Sequence, residues 1–279
     1  MPIEYLPSPV TASKRAAMRH VAVDWSGARS PAGKIWLAEA IDGHLVRLDA
    51  LASRESVIEC VADCRCSETP TVVGLDFSFS FPAWFCDALG ARTIGDTWLE
   101  VALQGEAWLE RCESPFWGRA GRRRPELRAH LRRTEEHVGV LTSVRPKSTF
   151  QIGGAGAVGT GSLRGMPHLL TLREAGCAVW PFDVPARVTI AEIYPRWFTG
   201  AVIKSREASR AAHLDTVARG WHPAHRRAAE RSEDAFDAAI SAVEMSVRWT
   251  NLPAQDTLDA FSTIEGEIWT PAAASTTAV

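Results

Sequence analysis

The chain has 279 residues, 46% of them apolar, and a formal charge of −2. That length suits one large domain or two small ones with a sizeable core, and that charge excludes a global attraction to nucleic acid or an acidic membrane, so any such attraction has to be local. No apolar run approaches ~18 residues and no signal-like apolar stretch opens the chain, so the expectation is a soluble, cytoplasmic protein.

Residues 1–18 mix proline, serine, alanine and basic residues without periodicity and read as a loose tail. His20–Arg29 (HVAVDWSGAR) is an apolar run that ends in Asp24 and breaks at Gly27. It predicts a first strand that delivers a carboxylate to its own C-terminal end. Lys34–Ile41 predicts a second strand. Asp42 and Gly43 form a two-residue hairpin signal, because both positions of such a turn need positive φ. His44–Asp49 returns as a third strand. Ser53 is placed to cap a helix over Arg54–Cys64, with Val57, Ile58 and Val61 on one side. Thr71–Phe77 is almost wholly apolar, as expected of a strand covered on both faces, and Asp76 lies at its end. The predicted order is three antiparallel strands, a helix, then a strand parallel to the first.

Residues 83–180 read as a helical and loop insertion between two halves of a core sheet. Trp98–Leu109 predicts a helix. Glu113–Arg133 predicts a loop followed by an arginine-rich helix. Residues 151–165 are dominated by glycine, and Pro167 suits the first turn of a helix over His168–Ala175 that Gly176 ends. Strand pattern resumes at Arg187–Ile193, which carries Glu192. Helices are predicted over Ser205–Gly220 and Ala224–Arg248, with Ser232, Glu233 and Asp234 marking a helix start inside the latter. Residues 266–279 read as a C-terminal tail, so the domain proper spans about 19–265.

The acids carry the chemistry. Magnesium takes hard oxygen ligands, usually a few carboxylates, and leaves positions for water and phosphate. Two such ions can activate water and stabilise the leaving oxygen of a phosphodiester. Asp24 and Asp76 end neighbouring parallel runs and so emerge at one sheet edge, where open α/β sheets bind ligands. Glu192 lies near the end of a third run. Asp234 and Asp237 are three apart and share a helix face opposite Phe236 and Ile240. The plainer alternative is that strand-end acids are turn residues and first-turn acids are caps.

These motifs carry a resemblance. The strand order and the placement of Asp24, Asp76 and the Asp234/Asp237 helix look like the ribonuclease H-like fold, and EDAFDAAISA is similar to the acid-bearing last helix of Holliday-junction resolvases. VDWSGA, GLDFSFSFP, KSTFQIGGAGAVGTGSLRGMP, WPFD, EIYPR and SEDAFDAAISA resemble the uncharacterised family called domain of unknown function 429, over roughly residues 20–270. That family is itself expected to comprise ribonuclease H-like nucleases. The resemblance implies Asp24 and Asp76 as sheet ligands and Asp234 or Asp237 as the helix ligand. Glu192 sits at a position that is not always acidic in such enzymes.

Other signals compete or add. Gly154, Gly156 and Gly159 match G-x-G-x-x-G, with Asp183 downstream, but the preceding run is short and polar and Gly161, Gly165 and Pro167 fall where the fingerprint helix should be running. The glycine loop is either a backbone phosphate cradle or a flexible connection. Arg119–Arg133 holds seven arginines, strong local asymmetry in a chain of charge −2. Arg119, Arg122, Arg123 and Arg124 are either a phosphate-binding patch beside a stacking Trp117, or a solvated helix whose arginines pair with Glu126, Glu135 and Glu136. Lys147, Ser148, Lys204, Arg206 and Arg210 are further candidates for substrate contact. The six cysteines contain no C-x-x-C pair and read as reduced structural thiols. No histidine sits at metal spacing, and no G-x-S-x-G elbow is present.

The expected function is a Mg2+- or Mn2+-dependent nuclease, with Asp24, Asp76, Asp234 and Asp237 holding metal and Glu192 an auxiliary ligand or base. DNA or RNA is the expected partner, and a homodimer is a possibility. The alternatives are a phosphotransferase of the actin-like or sugar-kinase type, or a nucleic-acid-binding module without catalysis.

Overall fold

The computed structural model describes residues 18–126, 129–142, 145–250 and 252–271. Among these residues six strands form one mixed sheet: β1 Arg19–Asp24, β2 Ile35–Ile41, β3 His44–Leu51, β4 Thr71–Leu75, β5 Ala178–Val179 and β6 Val188–Glu192, in the order β3-β2-β1-β4-β6-β5. β1, β2 and β3 are antiparallel neighbours, and β4, β6 and β5 join β1 in parallel. The β2–β3 turn has positive φ at both Asp42 and Gly43, as its sequence requires.

Among the described residues ten helices flank the sheet: α1 Arg54–Asp63, α2 Ala83–Ala88, α3 Ile94–Arg111, α4 Arg133–Thr142, α5 Gly159–Glu174, α6 Pro195–Thr199, α7 Glu207–Val217, α8 Pro223–Arg231, α9 Glu233–Arg248 and α10 Ser262–Glu265. None among the described residues is long and apolar enough to cross a membrane. Ser53 caps α1, its side chain accepting from Ser56 N. All six cysteines are free thiols.

Strand alternation sorts the core into two layers. Val21, Val23, Leu37, Val73, Leu75 and Ile190 face a layer built with α3 and α5. Ala22, Ala38, Ala40, Val72 and Ala191 face α9. The α9 side of the sheet is made of small residues, and α9 answers with Ala235, Ala238, Ala239 and Ala242. Helix and sheet therefore approach closely. A Cβ on Gly74 would stand 2.8 Å from Met245 Sδ.

Several expectations are refined. The segment 83–180, read as an insertion between two halves of the sheet, packs into the core, where α3 and α5 share one face with Val57 and Val61 of α1. Pro167 lies inside α5, which begins eight residues earlier. The glycines start that helix rather than precede it, because its first turns lie against backbone and rings where a side chain would collide. A Cβ on Gly165 would meet the Phe77 ring at 2.6 Å, and one on Gly159 would meet Thr149 O at 2.2 Å. The described part of the arginine-rich stretch is not helical before Arg133. The predicted 224–248 helix is two, broken at Ser232, which caps α9 by accepting from Ala235 N. The expected tail from 266 is also displaced: Ile268 and Trp269 are buried, and Trp269 N donates to Glu192 O at 2.8 Å. The tail predicted over 1–18 lies outside the described residues except for half-buried Met18.

Candidate functional site

Asp24 continues the alternation of Ala22, and Asp76 that of Val72 and Gly74, so both carboxylates leave the sheet on the α9 side. In the parallel β1–β4 pair Val23 is level with Leu75, which sets the two aspartates level at the C-terminal edge. Trp25 N donates to Asp76 Oδ1 at 2.6 Å and ties the two strand ends together. Asp234 and Asp237 lie in the first turns of α9, and the close approach of α9 brings them to the same edge.

The turn after Asp24 is clamped from outside. Arg54 donates to the carbonyls of Ser26 and Ala28, and Arg164 to that of Gly27 while pairing with Glu106 at 2.6 Å. Gly27 lies against the start of α5, where a Cβ would stand 2.5 Å from Gly161 N. Trp25 points to the opposite face from Asp24 and packs against Phe77 and His168 with ring centroids 5.0 and 5.6 Å away. It is 8% exposed and serves the core. Nothing in the spacing of Arg54 or Arg164 marks them from sequence as supports of this turn.

Four acids so placed oppose one another's charge. Burial, with Asp76, Asp237 and Asp234 nearby, raises Asp24 well above the usual carboxylate range. Burial and Asp237 push Asp76 up to about 7, against the Trp25 N–H bond and Lys204. Asp237 is raised by burial and by Asp234, and Asp234 by burial and Glu233. Lys204 answers them. Its ammonium bonds Asp237 Oδ2. Burial works against its charge, but Asp237, Asp24 and Asp76 together hold its pKa above the ordinary lysine value. Asp237 Oδ1 is buried with no hydrogen-bond partner.

Among the described residues, no group of three or more His, Cys, Asp or Glu side chains is closed tightly enough to hold a metal ion. The aspartates share one field, and the cation that Asp237 contacts is an ammonium.

Glu192 is not brought to this edge. It is level with Leu75 and continues Val188 and Ile190, so it leaves the sheet on the α3–α5 side. There both its oxygens accept from Arg132, at 2.8 and 2.5 Å, and Oε2 also accepts from Phe79 N at 2.9 Å. Arg132 is fully buried and also pairs with Glu135 at 2.9 Å. Glu192 is therefore committed to a structural ion-pair cluster.

Arg119, Arg122, Arg123 and Arg124 are exposed, on an irregular loop. Trp117 is 8% exposed and packed against His130, so it offers no free face for a base. Lys147 is exposed, but Ser148 is buried, with its hydroxyl donating to His130 O and accepting from Phe150 N. The arginine loop touches the glycine loop, since a Cβ on Gly118 would stand 2.3 Å from Gly153 O. Lys147 lies by the tip of that loop, 3.6 Å from a Cβ on Gly156. The glycine loop leads into α5, whose start abuts Gly27. Asp183 is held by Arg173 and Val179 N and takes no part in a dinucleotide fingerprint. A cavity of about 620 Å3, lined by Arg133, His137, Trp180 and Glu267 among others, includes none of the four aspartates.

No family model matches the chain, and no curated protein or solved structure is significantly similar to it.

Proposed function

We propose that this chain is a divalent-metal-dependent nuclease built on a ribonuclease H-like sheet. The observation that carries the reading is the convergence of Asp24, Asp76, Asp234 and Asp237, from two strand ends and one helix start, against a single contacting lysine. Four half-buried to buried carboxylates with one lysine among them are costly for a fold to keep without a further cation to receive. The donor chemistry fits Mg2+ or Mn2+, being all hard oxygen, and Asp237 Oδ1 is a buried acceptor with nothing to accept.

Asp24, Asp76 and Asp237 would have to draw closer than they stand here to hold the ion, with Asp234 at the outer margin. A bound ion supplies an activated water and stabilises charge on the leaving oxygen. The chain supplies the rest. The Trp25 N–H bond orients Asp76. Arg54 and Arg164 hold the turn that fixes Asp24. Arg119, Arg122, Arg123, Arg124 and Lys147 lie exposed around the glycine loop, and that loop runs back to the Asp24 turn, which gives a phosphate backbone a charged approach to the acids. A single sheet is present among the described residues, which favours a nuclease over the duplicated sheets of actin-like phosphotransferases.

Cleavage of labelled single- and double-stranded DNA and RNA, a hybrid and a four-way junction, with Mg2+, Mn2+ or EDTA, tests the reading beside Asp24→Asn. Metal-dependent cleavage that falls at least ~100-fold in the variant is expected. Cleavage that survives in the variant, or none with any substrate, would sink it.

A further inference from the structure

Lys204 lies on the 200–206 connection between α6 and α7, a stretch with no strand or helix to fix it. Side chains fix it instead. Arg196 Nη1 donates to Val202 O at 2.7 Å, and Ile203 N donates to Ser209 Oγ at 3.1 Å. Arg210, 4% exposed in the first turn of α7, donates from Nη1 to the carbonyl of Lys204 itself. Its Nε and Nη2 donate to Glu230 O at 3.0 and 2.6 Å. Glu230 is in the last turn of α8, two residues before Ser232, the cap of α9. One buried guanidinium thus references the backbone of Lys204 to the start of the helix that carries Asp237.

Burying a guanidinium against main-chain carbonyls is expensive, and so is ordering a long lysine side chain. Both are spent here to hold one ammonium on Asp237 Oδ2. The other oxygen of the same carboxylate stays buried and unpartnered. Asp237 therefore has one oxygen turned to a cation the chain carries and one buried with no hydrogen-bond partner.

We infer that Lys204 is a built-in cation that fills one of two cation positions at the aspartate site, with Arg210 as its positioning residue, so that the folded chain leaves room for a single divalent ion. This rests on the carboxylate reading above, but it is judged by a difference between variants.

The experiment is Mn2+ titration of the full chain, followed by calorimetry and by the electron paramagnetic resonance of free Mn2+, for the native protein, Lys204→Ala and Lys204→Arg. Lys204 is partly exposed on a loop, so both variants should fold, and circular dichroism checks it. The expected result is one more ion bound in Lys204→Ala than in the native chain, and the native number in Lys204→Arg. An unchanged number in Lys204→Ala overturns the inference. The native number alone judges the metal reading. One ion in both native chain and Lys204→Ala would leave the nuclease standing and the lysine's role disproved. None in the native chain would sink metal dependence and, even with one in Lys204→Ala, would overturn the inference, because Lys204 would then occupy the only cation position and not one of two.

Discussion

Asp76 shows in one residue how the site is charged. Burial and the neighbouring Asp237 move its carboxyl from its ordinary value of 3.8 to about 7. Between those values the folded chain holds a proton that the unfolded chain has released. Stability from that proton is present at low pH and is lost as pH rises through 7. Asp76→Asn removes the charge while its side-chain oxygen can still accept from Trp25 N. In EDTA the variant should gain on the native chain as pH rises from 5 to 8, by a few degrees in melting point, about 1–3 kcal/mol. Adding Mn2+ at pH 8 should raise the native melting point and leave the variant nearly unmoved. Thermal melts at the two pH values decide it, and an equal shift at both would mean that the carboxyl of Asp76 is not held neutral by its neighbours.

At the level of elements, what could be read from the chain was whatever depends on local periodicity. β1, β4 and the acids at their ends announce themselves as apolar runs that stop at aspartate, and the Asp42–Gly43 hairpin and the Ser53 cap follow from local backbone chemistry. Ser232 was visible as a helix start, but that it also ends α8 was not, since no proline or glycine separates α8 from α9. The beginning of α5 was hidden for a different reason. Its glycines have poor helix propensity and are tolerated because Phe77 and the backbone of 149–152 press against them, a contact made across the fold. Gly165→Ala should therefore cost about 1–3 kcal/mol, since the new methyl would sit 2.6 Å from a buried ring. Gly95→Ala, at the start of α3 with its nearest atom 3.5 Å away, should be neutral or stabilising by a few tenths of a kcal/mol, about what helix propensity allows. Urea denaturation of both variants checks the contrast. A harmless Gly165→Ala would show that α5 can draw back from Phe77.

Across the whole molecule the sheet keeps two polar centres apart, one per face. On the α9 side, aspartates and Lys204 gather at the edge. On the other, Arg132 joins the end of β6 through Glu192, the start of α4 through Glu135, and α10 through the carbonyl of Glu265. Which centre Glu192 enters is decided by a single step of strand alternation. Ala191 and Ile193 face α9, and Glu192 between them cannot. The alternation of Val188, Ile190 and Glu192 was present in the sequence, but its facing was not, because a strand buried on both sides shows no polar face to orient it. The two centres should answer substitution in opposite ways. Glu192→Gln leaves the buried Arg132 short of a charge partner and should lower stability by about 2–4 kcal/mol. Cleavage per folded molecule and the number of Mn2+ bound should stay within about two-fold of native. Asp24→Asn should do the reverse, with stability kept or gained and cleavage lost. Denaturation midpoints measured beside activity, corrected for the folded fraction, separate the two patterns. Loss of cleavage in Glu192→Gln at unchanged stability would put Glu192 in the reaction and would require the end of β6 to turn its side chain towards α9.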